Sequence, residues 1–242
     1  ISSSGEFKDV VTAIEQGAPK PVVAITAHAE STLGRLADAV ALQTVLHQRA
    51  ITHTQALAGA LAIGLRIWGR TVGDAALARA ADDGPALLQA AIQTAPGWAE
   101  AAFAEGALPV SAASFGGGPA WAAALETALL LKEIARIPAE GAETREGATS
   151  VMYGLNRDCL VLALGTDGDG GFAEAVDVCR ATGAAVVEVP GGRGVDPRFA
   201  FATLLPATCA ASGVLAVRGG HDIDNPTWTE AYYATARASG KP

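Results

Sequence analysis

Short apolar runs of four to six residues alternate along this chain with longer stretches whose apolar positions recur at helical spacing. Pro21-Val22-Val23-Ala24-Ile25-Thr26 reads as a buried parallel strand and Ala39 to Leu42 as another strand, with a helix start at Ser31-Thr32-Leu33 between them. Thr54 to Trp68 reads as a long apolar helix. Residues 73–105 are alanine-rich and punctuated at Asp82-Asp83-Gly84-Pro85 and Ala95-Pro96-Gly97, so they read as bridging helices. A second alternation follows, with strands near 108–114, 159–164 and 184–189 and helices near 119–136, 171–181 and 199–217. Such alternation predicts an α/β fold in two halves, each a parallel sheet covered on both faces. The expected division is 1–72, a helical connection 73–105, a second subdomain 106–225 and a tail 226–242.

Ligands of such sheets bind at the carboxyl ends of the strands. Ser2-Ser3-Ser4-Gly5 would sit at such an end, just before a helix near Glu6 to Val11. Small hydroxyl residues leave main-chain N–H groups accessible, and a helix N-terminus favours negative charge, so this loop is a candidate phosphate site. A plain capping turn is the competing reading. In the second half, Gly116 to Gly118 close an apolar strand, and the helix that follows carries Glu126 and Glu133 one heptad apart on nearly one face. Carboxylates on an apolar helix are either solvated at its edge or used. Gly165-Thr166-Asp167-Gly168-Asp169-Gly170-Gly171 has the look of a calcium loop but lacks the later bidentate glutamate, and reads as a surface turn.

Composition narrows the function classes. Half of the 242 residues are hydrophobic, enough for one large core or two modest ones. A net charge of −8 argues against a nucleic-acid or anionic-membrane surface, while a local ring of N–H groups can still hold a small anion. No membrane-spanning helix and no targeting segment are expected. Cys159, Cys179 and Cys209 lack CxxC spacing and read as reduced core thiols of a cytoplasmic protein, with no metal site or cofactor implied.

Four segments, in order, resemble the sugar isomerase domain family. Ile1-Ser2-Ser3-Ser4-Gly5-Glu6 is similar to its strand-end phosphate loop Ile-Ser-x-Ser-Gly-Glu. Gln48 to Gln55 is similar to Glu-x-x-Val-x-x-Thr-Lys, and Gly116, Gly118, Glu126 and Ala128 to Ile134 to Gly-x-Gly followed by Ala-x-Glu-x-Ala-Leu-x-Leu-Lys-Glu-Ile. Gly220 to Pro226 is similar to Gly-x-Asp-x-Asp-x-Pro. The resemblance implies two flavodoxin-like, three-layer subdomains, the first lacking its opening strand, helix and first phosphate loop here, so that a longer protein is expected. It implies a phosphorylated sugar or amino sugar as ligand and a symmetric homodimer. It also implies an aldose-ketose isomerase, deaminase or deglycase in which Glu133 moves a proton between C1 and C2. Substrate contacts would come from Ser2, Ser3, Ser4, Gly5, Gln48, Thr54 and Gln55. Such a base is expected in a closed apolar pocket, with a raised pKa, while Glu126 is expected to be structural.

The departures are as specific as the matches. Gln55, Leu130 and Ala231 stand where the family's synthase members carry lysines. Glu146 stands at the ring-opening histidine, Gln48 at a glutamate, and Phe7 at a threonine of the phosphate loop. Each change removes a charge, a titrating group or a hydroxyl, which supports the alternative of a sugar-phosphate-binding protein without catalysis. His28, His47 and His53 are candidate replacements. His28 lies on the ligand side of its strand, but His53 is preferred because its segment serves the partner's site in the family; a lone histidine is otherwise a structural residue more often than not.

Overall fold

A computed structural model describes residues 1–44, 54–223, 230–231 and 234. They form two compact units, one of residues 1–44 with 54–89, the other of residues 90–223 with 230–231 and 234.

In the first unit, β1 (Val23–Thr26) pairs in parallel with β2 (Ala39–Leu42), Val23 opposite Ala39 and Thr26 opposite Leu42. The other edge of β1 is occupied as well. Ser2 N–H donates to the Ile25 carbonyl at 3.1 Å, and Ala27 N–H to the Ser3 carbonyl at 2.9 Å. The chain's first residues therefore run beside β1 as a strand end, as expected for the serine loop. Central β1 buries Ala24, Ile25 and Thr26, whereas edge strand β2 stays largely exposed. Around them lie α1 (Lys8–Glu15), α2 (Thr32–Leu36) and α3 (Thr54–Thr71). At the end of β2 the buried Gln43 donates through Nε2 to the Ala56 carbonyl of α3. Where several bridging helices are expected there is one, α4 (Ala75–Phe103), continuous through Pro85 and Pro96. Each proline removes one helical hydrogen bond, and the surrounding alanine-rich turns, intrinsically the best helix formers, absorb the loss.

The second unit holds four parallel strands in the order β4 (Ala139–Ala142), β3 (Ser111–Gly116), β5 (Cys159–Leu164), β6 (Ala185–Glu188). Neither β4 nor α6 (Thr144–Thr149) follows from the hydrophobic pattern, because Ala-Glu-Gly-Ala and Thr-Arg-Glu-Gly-Ala-Thr carry no apolar run. Pairing to β3 makes the first a strand. Side chains alternate across the sheet: Ala113, Phe115, Val161 and Ala163 pack with Phe172, Ala175, Val176 and Cys179 of α7 (Phe172–Ala181). On β3 the alternate Ser114 hydroxyl donates to the Ala124 carbonyl of α5 (Ala120–Glu133) at 2.6 Å. Cys159 and Cys179 are buried, and burial pushes the Cys179 thiol up.

The expectation of no helix long and apolar enough to span a membrane does not hold. Residues 199–217 contain no charged side chain, and the helical segment Pro197–Arg218 passes on length and apolarity. Its main part, α8 (Phe201–Arg218), nevertheless behaves as a core helix: it packs on α5, and Leu204, Ala211, Leu215 and Ala216 are all but inaccessible. A buried helix is apolar on every side for the same reason a membrane helix is.

Candidate functional site

Ser2, Ser3 and Ser4 share an open cleft of about 560 Å³ with Ile1, Phe7 and His28. Gly5 is the pivot of the loop. Its φ of +71° is left-handed, and a Cβ there would fall 1.9 Å from Ser31 Oγ, so both conformation and space demand glycine. Ser2 Oγ accepts from Gly5 N–H at 3.2 Å and Ser4 Oγ from Glu6 N–H at 3.2 Å. Each hydroxyl thus keeps its own proton to donate. Among the described residues, the N–H groups of Ser3, Ser4 and Phe7 donate to nothing. Phe7 is the N-cap of α1, and no side chain caps that helix. Hydroxyl protons, main-chain N–H groups and the positive end of a helix dipole are the equipment for binding an anion. The capping-turn reading of the serines applies to Gly5 and Glu6 inside the loop, not to α1.

Glu6 is turned away from this task. Its Oε1 accepts from Thr32 N–H at 2.8 Å and its Oε2 from the Thr32 hydroxyl at 2.7 Å, which caps α2 together with Ser31. These bonds, the backbone one first, hold its carboxyl below the usual glutamate range. Thr54 and Gln55 are the first residues of α3 and are half-buried. Gln48 and His53 lie outside the described residues.

The second unit's candidates are distributed differently. Glu133 ends α5 and is exposed, so the closed apolar pocket expected around it is not present in its own unit. Glu126, on the same helix, is half-buried, and burial first, and then the neighbouring Glu133 charge, push its carboxyl up. Glu146 sits exposed in the first turn of α6. Leu130, at a position of a family lysine, is a core residue with no accessible surface.

The strand order places the switch point of this sheet between β3 and β5, where chain connections depart in opposite directions. Asp169 fills it. Its carboxylate accepts from the Thr144 hydroxyl at 2.6 Å and from Gly171 N–H at 3.3 Å. A Cβ on Gly117 would meet Asp169 Oδ2 at 2.4 Å, so that glycine exists to admit the carboxylate. Asp167 accepts from Gly194 N–H at 2.7 Å, joining the loops after β5 and β6. The Gly165 to Gly171 turn is therefore a structural clasp, and among the described residues no three His, Cys, Asp or Glu side chains gather as a metal site.

No protein-family model matches this chain, and no curated protein matches it by sequence. Solved structures do. The C-terminal domain of glucosamine-fructose-6-phosphate aminotransferase from Francisella tularensis superposes with a TM-score of 0.77 at 18% identity, over 93% of this chain and 72% of that one. The chain has a sugar isomerase domain fold. Glucosamine-6-phosphate deaminase from Thermotoga maritima matches with a TM-score of 0.75 at 16% identity, covering 93% and 72% of the two chains. Tagatose-6-phosphate ketose/aldose isomerase from Escherichia coli gives 0.73 at 17%, covering 93% and 68%. Within this sugar isomerase fold, His28 and Phe7 are the cleft residues that motif reading underweights. The signal for His28 is its place just past a strand's carboxyl end.

Proposed function

We propose that this chain binds a phosphorylated sugar or amino sugar, its phosphate held by the hydroxyls of Ser2, Ser3 and Ser4 and the N–H groups of Ser3, Ser4 and Phe7. The cleft carries this reading: hydroxyl donors, unengaged N–H groups and an uncapped helix N-terminus converge on one open space. Support comes from the structural relatives, whose names specify sugar phosphates as ligands. A sugar phosphate should raise the melting temperature of the protein while the corresponding free sugar does not, because only a ligand of the folded state stabilises it. Equal effects of both would remove the phosphate site.

The reaction follows from the ligand. An aldose-ketose isomerisation needs a base to take the proton from C2 of the aldose, or from C1 of the ketose, and to return it to the neighbouring carbon through an enediolate. Glu133 is our candidate base, with Glu146 and His53 as proton-handling partners; a deaminase or deglycase would use the same proton transfer. Glu133→Gln should keep sugar-phosphate affinity and lower exchange of the C1 or C2 hydrogen with solvent deuterium by about a hundredfold or more. The alternative, a cytoplasmic sugar-phosphate-binding protein without catalysis, is favoured by the exposure of Glu133 and Glu146 and by the core role of Leu130. Ligand binding without any exchange would establish that alternative. Either form is read as a symmetric homodimer, and a monomeric mass by light scattering at micromolar concentration would count against it.

A further inference from the structure

We propose that His28 is the cationic ligand of the serine cleft, pairing as an imidazolium with the bound phosphate; this rests on the phosphate reading of the cleft given above.

The cleft supplies hydrogen bonds without charge. A phosphate monoester brings a charge of about −1.5 to −2 at neutral pH, to a protein whose own net charge is −8. No lysine or arginine lines the cleft. The cations near it in the fold are committed or peripheral: Arg35 donates to the Glu30 carbonyl and to Thr32 Oγ1, Lys20 pairs with Asp38 at 3.1 Å, and Lys8 is exposed at the start of α1. His28 is the side chain on the cleft wall that can become a cation.

Its mounting suits the role. His28 N–H donates to Thr26 Oγ1 at 3.2 Å, and its carbonyl accepts from the Ser31 hydroxyl at 2.6 Å and from Ser31 N–H at 3.1 Å. The main chain is thereby fixed between β1 and α2, while the exposed imidazole has no hydrogen bond among the described residues. The ring can turn to the ligand without breaking anything. Of the acidic groups around it, Glu6 spends both oxygens on Thr32, and Glu30 and Asp9 are exposed on the flanking segments. Ile1 also lines the cleft and is the same in every variant below. His28 also compensates for the hydroxyl absent at Phe7, replacing a neutral donor by a charged one, whose hydrogen bonds are about twice as strong.

The test is inorganic phosphate binding to the full-length protein by calorimetry from pH 5.5 to 8.5, with wild type and His28→Gln compared at each pH so that the titration of phosphate itself cancels. Histidine loses its charge across this range. Wild type should bind about five- to tenfold tighter than His28→Gln at pH 5.5 to 6, the scale of the difference between a charged and a neutral hydrogen bond, with the advantage disappearing by pH 8.5. His28→Lys should retain the advantage throughout. A wild-type to His28→Gln ratio that does not change with pH overturns the role of His28 while leaving the cleft intact. Absence of phosphate binding to the wild type overturns both.

Discussion

The two units each present a strand-end corner rich in small residues, and they use it in opposite ways. In the first, Ser2, Ser3 and Ser4 line an open cleft, the N–H groups of Ser3 and Ser4 are unengaged among the described residues, and the neighbouring carboxylate, Glu6, is bound to the start of α2. In the second, the corner between β3 and β5 is plugged by the protein's own Asp169, packed on Gly117 and bonded to Thr144. An internal carboxylate satisfies the donors that an anion would otherwise take, and its charge repels a second anion. Glycine richness at a strand end therefore does not identify a phosphate site. What matters is whether the donors are already engaged.

The largest expected effect is on Gly5. Gly5→Ala adds a left-handed backbone penalty to a Cβ buried in Ser31, together about 2 to 5 kcal/mol of lost stability. In the other corner, Gly118 has a φ of +54° with no atom within 4 Å of a Cβ, so Gly118→Ala should cost only the backbone part, about 1 to 2 kcal/mol. Urea midpoints compare the two, and equal losses would contradict the crowding under the serine loop.

Function and stability should separate next. Asp169→Ala leaves the buried Thr144 hydroxyl without its acceptor and should destabilise by about 1 to 3 kcal/mol, with phosphate affinity unchanged. Ser4→Ala, on an exposed residue, should do the reverse, weakening sugar-phosphate binding by about 1 to 3 kcal/mol with little change in stability. Loss of phosphate binding in Asp169→Ala would mean that the plugged corner is not the inert one.

The smallest effect is electrostatic. Glu126 has its carboxyl raised in the folded state, so the fold binds the proton more tightly than the unfolded chain does. Stability from this group is fully present below the ordinary glutamate value of about 4.3 and is lost as pH rises through the raised folded value. Glu126→Gln should accordingly stabilise the protein at pH 7 and make little difference near pH 4, again by urea midpoint. A gain independent of pH would point to packing instead of charge.

What was legible in the sequence follows a physical division. β1, β5 and the start of α2 at Ser31 were readable because a buried strand needs a local apolar run and a helix N-cap needs a hydroxyl at one position; β2 carries the same kind of apolar run although as an edge strand it stays largely exposed. The serine loop was readable for the same reason, since its hydroxyls, glycine and helix start are contiguous. β4 was not, because Ala-Glu-Gly-Ala becomes a strand only by hydrogen bonding to β3, and the 199–217 helix, which passes on length and apolarity for a membrane span that the sequence reading did not expect, is marked as a core helix by its packing on α5. Helical spacing puts Glu126 and Glu133 on nearly one face but does not say how deeply each is covered, and Glu126 is half-buried where Glu133 is exposed.

The sequence by itself determined the strand-helix alternation, the sugar isomerase resemblance and the chemistry available at each strand end, all properties of neighbours along the chain. Only the tertiary structure decided which of those ends is open. Gly5 against Ser31, Asp169 against Gly117 and His28 across from Ser2 to Ser4 are separated by 26, 52 and 24 to 26 positions in the chain, and contacts at such distances are set by how strands pair and loops pack, which no local pattern encodes.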